Sequence, residues 1–373
     1  MERFVATPEL LSEDTVGSDP LPPGALDELR PSGHTVGLQL VTRSAATTVS
    51  FEEVEVPMSE YTPIDLAGFY RSPSHLPIWE VIDKAGIWNQ VGVESLRFEY
   101  RANPSDAEAA LFDGTVDFVS GNHITPYALM ARGKPIVCLA SPHNAVQDTV
   151  ASREPITSLA DLRGKRIADL SMEGRAAGFN HLRGNHMLYL IKAGVGIDEV
   201  TWVELADDVS PEYRRAVFDA MVEGAADATF LTGGAEEYRR AGFHTLQLPP
   251  LPMISGPTIT TTLTALRRKD RLGERLVKGM ILGVHYARTH REETERILSA
   301  LKERVPEVGN ARYESVARLP LKPYPEPEAV MNARELCLLK DQDAAKISPL
   351  ALWNTHYLRE LDDSGFIDGL SQN

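Results

Sequence analysis

The chain carries ten histidines, and where they fall is its main chemical signal. His75 closes the segment Arg71-Ser72-Pro73-Ser74, His123 follows Gly121-Asn122, and His143 follows Ser141-Pro142. His181 and His186 stand shortly after Ser171-Met172-Glu173-Gly174-Arg175. A neutral imidazole can ligate a metal, donate to an anion or transfer a proton near neutral pH. No HxxxH or HExxH spacing occurs, and residues five apart, like His181 and His186, do not share a helix face, so no metal is expected. Ser72 and Ser74 stand where a helix would begin, a place whose unpaired N–H groups and dipole favour an anion, although one serine there also serves as a simple cap. Residues 171–178 repeat that arrangement of small residues, backbone donors and a guanidinium. Arg71 and Arg175 are therefore candidates to hold a carboxylate through paired hydrogen bonds. Tyr70 and Tyr127 could offer rings to a planar ligand, and Thr232 with Gly233 and Gly234 could present a hydroxyl and N–H groups after a strand.

These side chains need elements to position them. Ile64–Tyr70 reads as a buried strand and is followed by an amphipathic stretch through Trp88. Strands at 96–100, 116–119 and 136–140 then alternate with helices at 105–111 and 126–131. After Val150 the texture restarts: a short helix at 158–162, a strand at 166–169, a long helix at 179–193, a strand at 200–204, a helix at 212–223 and a strand at 228–231. Strand and helix in alternation imply parallel sheets wrapped by helices. A weak internal echo, Phe112-Asp113-Gly114-Thr115-Val116-Asp117 against Val222-Glu223-Gly224-Ala225-Ala226-Asp227, supports two similar units. In each, a glycine suited to end a helix precedes an Asp that enters a strand.

Composition sets the outer limits. With 373 residues, 43% hydrophobic and 24% charged, the chain can bury two cores without a disulfide or structural metal. Cys138 and Cys337 lack any CxxC or Cys/His spacing, which excludes a zinc finger or disulfide framework; Cys138 lies within a strand and reads as a small buried residue. A net charge of −15 argues against nucleic acid or an anionic membrane as partner, since both need a dense basic face. No cofactor and no transmembrane segment are expected. The first 60 residues are acidic and Pro-rich, with strand-like runs at 35–41 and 48–56 and no signal peptide, so a cytoplasmic location is expected for the chain as written.

Ile64–Tyr70, Ser72-Pro73-Ser74-His75-Leu76-Pro77, Ala85-Gly86-Ile87-Trp88 and the 112–117 segment come in a telling order. They precede Ser158-Leu159-Ala160-Asp161-Leu162-Arg163-Gly164-Lys165-Arg166-Ile167. In that order they resemble type II periplasmic binding proteins, nearest to the substrate-binding components for nitrate, sulfonates, taurine and thiamine-pyrimidine precursors. The resemblance covers roughly residues 64–288. It implies an α/β fold of two lobes, each a mainly parallel sheet flanked by helices, hinged by two crossover strands near 149–152 and 253–258. Lobe 1 would comprise residues 61–150 and 255–373, lobe 2 residues 151–254, with 1–60 as an extension.

In such a fold a small ligand lies between the lobes and closure buries it. Ligand-binding candidates are then Tyr70, Arg71, Ser72, Ser74, His75, Gly121, Asn122, His123, Ser141, His143, Ser171, Gly174, Arg175 and Thr232. The expected role is capture of a small organic anion or heterocycle, of sulfonate, carboxylate or pyrimidine type, with an ABC permease as partner. The alternative is an intracellular enzyme on the same fold, since the resemblance includes pyrimidine synthases, aromatic sulfinate desulfinases and aromatic acid decarboxylases. His75 or His123 would then serve as the catalytic acid/base. The desulfinase pattern needs a cysteine in the first loop and the synthase pattern a cysteine-rich loop. This chain has neither.

Overall fold

The structure is a computed structural model that describes residues 61–172, 181–207, 210–309 and 311–371. The acidic leader with its strand-like runs, Gly174 and Arg175 lie outside the described residues. The first part of the chain runs β1 (Ile64–Tyr70), α1 (Leu76–Lys84), α2 (Ile87–Gln90), β2 (Val93–Tyr100), α3 (Pro104–Asp113), β3 (Phe118–Ser120), α4 (Pro126–Ala131) and β4 (Ile136–Ala140). Next come β5 (His143–Val146), β6 (Thr149–Ser152), β7 (Arg166–Asp169), α5 (His181–Lys192), β8 (Thr201–Glu204), α6 (Pro211–Glu223), β9 (Ala228–Leu231), α7 (Ala235–Arg240), β10 (His244–Gln247) and β11 (Leu251–Ser255). The chain then returns through β12 (Ile259–Thr262), α8 (Leu263–Arg268), α9 (Leu272–Thr289) and α10 (Arg291–Arg304). It ends with α11 (Tyr313–Ala317), α12 (Pro327–Leu338), α13 (His356–Asp363) and α14 (Phe366–Leu370).

Two five-stranded sheets result, ordered β2-β1-β3-β12-β4 and β10-β6-β9-β7-β8. In the first, β1 is parallel to β2 and β3, whereas β12 runs antiparallel to β3 and β4. In the second, β7 is parallel to β8 and β9, and β6 is antiparallel to β9 and β10. The strands that cross between the sheets are β5 and β11, paired as an antiparallel ribbon. This differs from the crossover expected near 149–152, because Thr149–Ser152 is fully incorporated in the second sheet as β6. A short apolar run reads the same whether it crosses or pairs, and only its neighbours distinguish the two.

Local chemistry accounts for the main elements. Gly68 sits in β1 because a Cβ there would lie 2.6 Å from the Phe118 ring, which fills the space between strand and helix layer. β12 is polar yet fully buried. Its Thr260 and Thr261 hydroxyls donate to the Asn122 and Asp117 carbonyls, and Thr262 Oγ1 accepts from the Ala265 N–H to cap α8. The internal echo is matched in three dimensions. Gly114 and Gly224 cap α3 and α6 at φ of 81° and 79°. Asp117 and Asp227 then each accept from a backbone N–H of the neighbouring strand, Ala67 at 2.9 Å and Arg166 at 2.9 Å.

One apolar cluster packs α1 and α9 onto the first sheet, and another lines α6 on the second. A third is continuous between the sheets. It runs from Phe69, Val119 and Cys138 through Met253 and Ile254 of the ribbon and Val330 of α12 to Ile167, Leu188 and Phe230. That shared cluster joins the lobes through apolar burial, worth about 25 cal/mol per Å².

Candidate functional site

Imidazoles from both lobes meet where the carboxyl ends of the first-sheet strands face the start of α5. His75 is the N-cap residue of α1 and is 8% exposed; its Nδ1 lies 3.2 Å from the Ser120 carbonyl oxygen. A carbonyl can only accept, so Nδ1 carries the proton and Nε2 is left as an acceptor. Beneath the ring is Gly121, at φ of 90°, where a Cβ would fall 1.9 Å from His75 Cε1. Only a glycine satisfies both the left-handed backbone and this close approach. His123, 3% exposed, is oriented by Thr258 Oγ1, 3.0 Å from its Nδ1. His181, from the first turn of α5, meets it edge to face with ring centroids 5.2 Å apart. The Nε2 atoms of both His123 and His181 are buried without a hydrogen-bond partner, as is Asn185 Oδ1 one turn further along α5.

Burial dominates the electrostatics here, because removing an imidazolium from water disfavours the charged form. It holds His75 down to about 3 and His181 to about 4, and His123 well below the usual histidine range. The Arg71 charge pushes all three in the same direction, and the histidines oppose one another's protonation. The site is thus three neutral rings beside one guanidinium. Arg71 is itself committed: Nε donates to the Ala102 carbonyl at 3.0 Å and Nη1 to Asn122 Oδ1 at 3.0 Å. Burial lowers its pKa to about 10, which leaves it a cation at neutral pH. Asn122 passes the contact on, Nδ2 donating to Glu108 Oε1 at 3.0 Å.

The remaining sequence candidates separate. Ser72 caps the turn before α1, its Oγ accepting from the Ser74 N–H at 3.3 Å and lying 2.8 Å from Ser74 Oγ, so the two hydroxyls serve each other. Tyr70 packs on Phe98 and Tyr100 in the core of lobe 1 rather than in the cleft. The reason is strand alternation: Phe69 and Tyr70 point to opposite faces, and Tyr70 takes the one under α1. Tyr127 is fully buried, its hydroxyl donating to the Val330 carbonyl at 3.2 Å. Ser141 is buried and donates to the His143 carbonyl at 2.9 Å. His143 belongs to strand β5 rather than to a loop, is exposed, and covers Gly256. Ser171 is half-buried, its N–H bonded to the Ala206 carbonyl at 2.7 Å.

Thr232, itself exposed, bonds to a second polar group beside the ribbon that is otherwise buried. Its hydroxyl donates to Asp148 Oδ1 at 2.7 Å, while His186 Nδ1 is 2.7 Å from Asp169 Oδ2 and the ring stacks on Phe230 at 4.5 Å. His186 Nε2 and Asp148 Oδ2 face each other at 3.8 Å. His181 carries the imidazole chemistry noted in the sequence but was not among the ligand-binding candidates, and Asn185 was not singled out at all; their spacing of four places both on one face of α5. Among the described residues, no three His, Cys, Asp or Glu side chains are placed to hold a metal ion. No helix among them is long and apolar enough to cross a membrane.

The family model described as NMT1/THI5 like matches residues 83–294, more than half of the chain. A curated relative is the 4-amino-5-hydroxymethyl-2-methylpyrimidine phosphate synthase of Schizosaccharomyces pombe, 27% identical over 162 residues. That match spans 43% of this chain and 42% of the relative, less than half the length of either. Among solved structures, the periplasmic aliphatic sulphonate-binding protein SsuA of Escherichia coli superposes with a TM-score of 0.56 at 14% identity, covering 79% of this chain and 99% of its own. The desulfurization enzyme DSZB superposes at 0.51 and 16% identity, covering 80% and 99%. The two lobes are those of the type II periplasmic-binding-protein fold.

Proposed function

The chain belongs to the NMT1/THI5-like family, and on that premise we propose that it is a solute-binding protein that encloses a small organic anion or heterocycle between its lobes and hands it to an ABC-type permease. The observation that carries this reading is the pair of unpartnered Nε2 atoms on His123 and His181, one from each lobe. A buried polar atom left without a partner costs about 1–3 kcal/mol. A ligand that bonds to both nitrogens removes that cost twice and ties the lobes together, which is the thermodynamic requirement for closure on a ligand. Arg71 adds a cation beside them, so sulfonates, carboxylates and polar heterocycles are the classes that match. The SsuA likeness supports the fold-level part of this reading.

The second reading, an enzyme on this fold, is favoured by the synthase relative. Proton transfer by the free-site histidines works against it. A general base is most effective with a pKa near the working pH, and His75 and His181 sit at about 3 and about 4. Such rings accept hydrogen bonds but hold protons poorly.

Thermal shift and calorimetry against alkanesulfonates, aromatic carboxylates and pyrimidines, with mass-balance analysis of each mixture, separate the two. Saturable binding with the compound recovered intact is expected, weakened about tenfold or more in both His123→Ala and His181→Ala. Consumption of the compound would establish the enzyme. Wild-type affinity in both variants would remove the site.

A further inference from the structure

On the far side of Glu108 from the histidines, a cavity of about 210 Å³ opens between the start of α3, helix α4 and the end of α12. Its wall is apolar along Pro104, Ile124, Ala128 and Leu129. Its inner carboxylate is Glu108, 7% exposed, and Lys340 and Asp341 also line it from just past the end of α12. Both bonds to that carboxylate, from Asn122 Nδ2 and Thr125 Oγ1, land on Oε1. Oε2 is left without a partner among the described residues, on a side chain more than nine-tenths buried that lines the cavity. At the mouth, Arg132 is already engaged: its Nε donates to Asp343 at 2.6 Å and its guanidinium also bonds Asp341. It does not turn inward to neutralise Glu108.

We propose that this cavity is a second binding site, distinct from the interlobe one, for a small aliphatic ammonium compound whose charged nitrogen bonds Glu108 Oε2 and whose carbon chain lies against Ile124, Ala128 and Leu129. The chemistry follows from the lining. An unpaired carboxylate oxygen calls for a donor, a cation meets that need most strongly, and the Ile124, Ala128 and Leu129 wall beside it rewards carbon. The volume is below the 300–1,000 Å³ typical of drug-sized sites and suits a chain of about four to six carbons. Burial raises the Glu108 pKa, opposed by the Thr125 and Asn122 hydrogen bonds and the Arg71 charge, so protons compete with the ammonium and binding strengthens as pH rises through the carboxyl's own range.

The probe is n-butylammonium chloride, with n-butanol as its neutral counterpart, titrated into the full chain with ¹³C-labelled isoleucine and leucine methyls. A saturable shift of the Ile124 and Leu129 methyls is expected with a Kd on the order of 1 mM for the ammonium, at least tenfold weaker for the alcohol. Glu108→Gln is expected to abolish the preference for the ammonium. Ala128→Leu, which fills the cavity and leaves Glu108 intact, is expected to abolish both shifts. Equal affinity of the wild type for the two probes, no saturable shift, a preference for the ammonium that survives Glu108→Gln, or binding that survives Ala128→Leu would overturn the proposal.

Discussion

His75 shows how burial converts a titratable side chain into a neutral hydrogen-bonding group. With its pKa held at about 3, against an ordinary value near 6.5, the folded state refuses a proton that the unfolded chain accepts. Above pH 6.5 the ring is neutral in both states. As pH falls toward the folded value, each such imidazole removes stability at up to about 1.4 kcal/mol per pH unit. Urea unfolding at pH 7.0 and pH 5.0 checks this: between the two, His75→Gln is expected to lose roughly 2 kcal/mol less than the wild type. Equal losses would mean that the ring is not held neutral by the fold. Residue type alone marked His75 and His123 as chemically able, and the fold buries both in one imidazole cluster. The same reading placed Tyr70 beside a ligand, whereas Tyr70 faces the lobe core. It gave Ser72 and Ser74 to an anion, whereas the two bond each other. The difference is direction: a strand's alternation and a turn's local bonds decide where a side chain points, and composition does not encode that.

Helix α5 is the element on which the site depends. It presents His181 and Asn185 at one face, sets His186 against Asp169, and ends near the ribbon through Tyr189. The Tyr189 hydroxyl is shared between the Val146 carbonyl at 3.2 Å and the Pro249 carbonyl at 3.0 Å, the two chain segments that cross between the sheets. Removing it in Tyr189→Phe is expected to cost about 1 kcal/mol of global stability. Amide exchange should quicken selectively in β5 and β11, whose hydrogen bonds then open without global unfolding. Uniform acceleration, or none, would show that the helix does not restrain the ribbon. Much of the element order was legible, down to β7 and β9 at their observed bounds, because apolar runs between turn residues are local signals. β12 was not. Its Thr260-Thr261-Thr262 run is buried only because β3, β4 and the Asn122 and Asp117 carbonyls accept it, and those partners lie more than 100 residues away.

Across the whole molecule, the apolar cluster shared by both sheets makes the lobes one cooperative unit. Cys138, fully buried in β4, and Cys337, 4% exposed in α12, both belong to it and are free thiols. Labelling of the two thiols with an excess of a thiol reagent across a denaturant series is therefore expected to follow the loss of far-UV circular dichroism in one coincident transition. Labelling of either thiol well before that transition would show that the lobes separate first. By itself the sequence determined the two α/β units, the repeated helix–glycine–Asp junction that anchors each, and a set of polar residues in loops after strands. Those features rest on interactions within a few positions along the chain. Only the tertiary structure decided that β5 and β11 form the crossing and that β12 completes the first sheet. It alone brought His181 from one lobe to His123 of the other. Those outcomes are set by contacts between segments 50 to 150 residues apart, which form only when both sheets have closed their shared core.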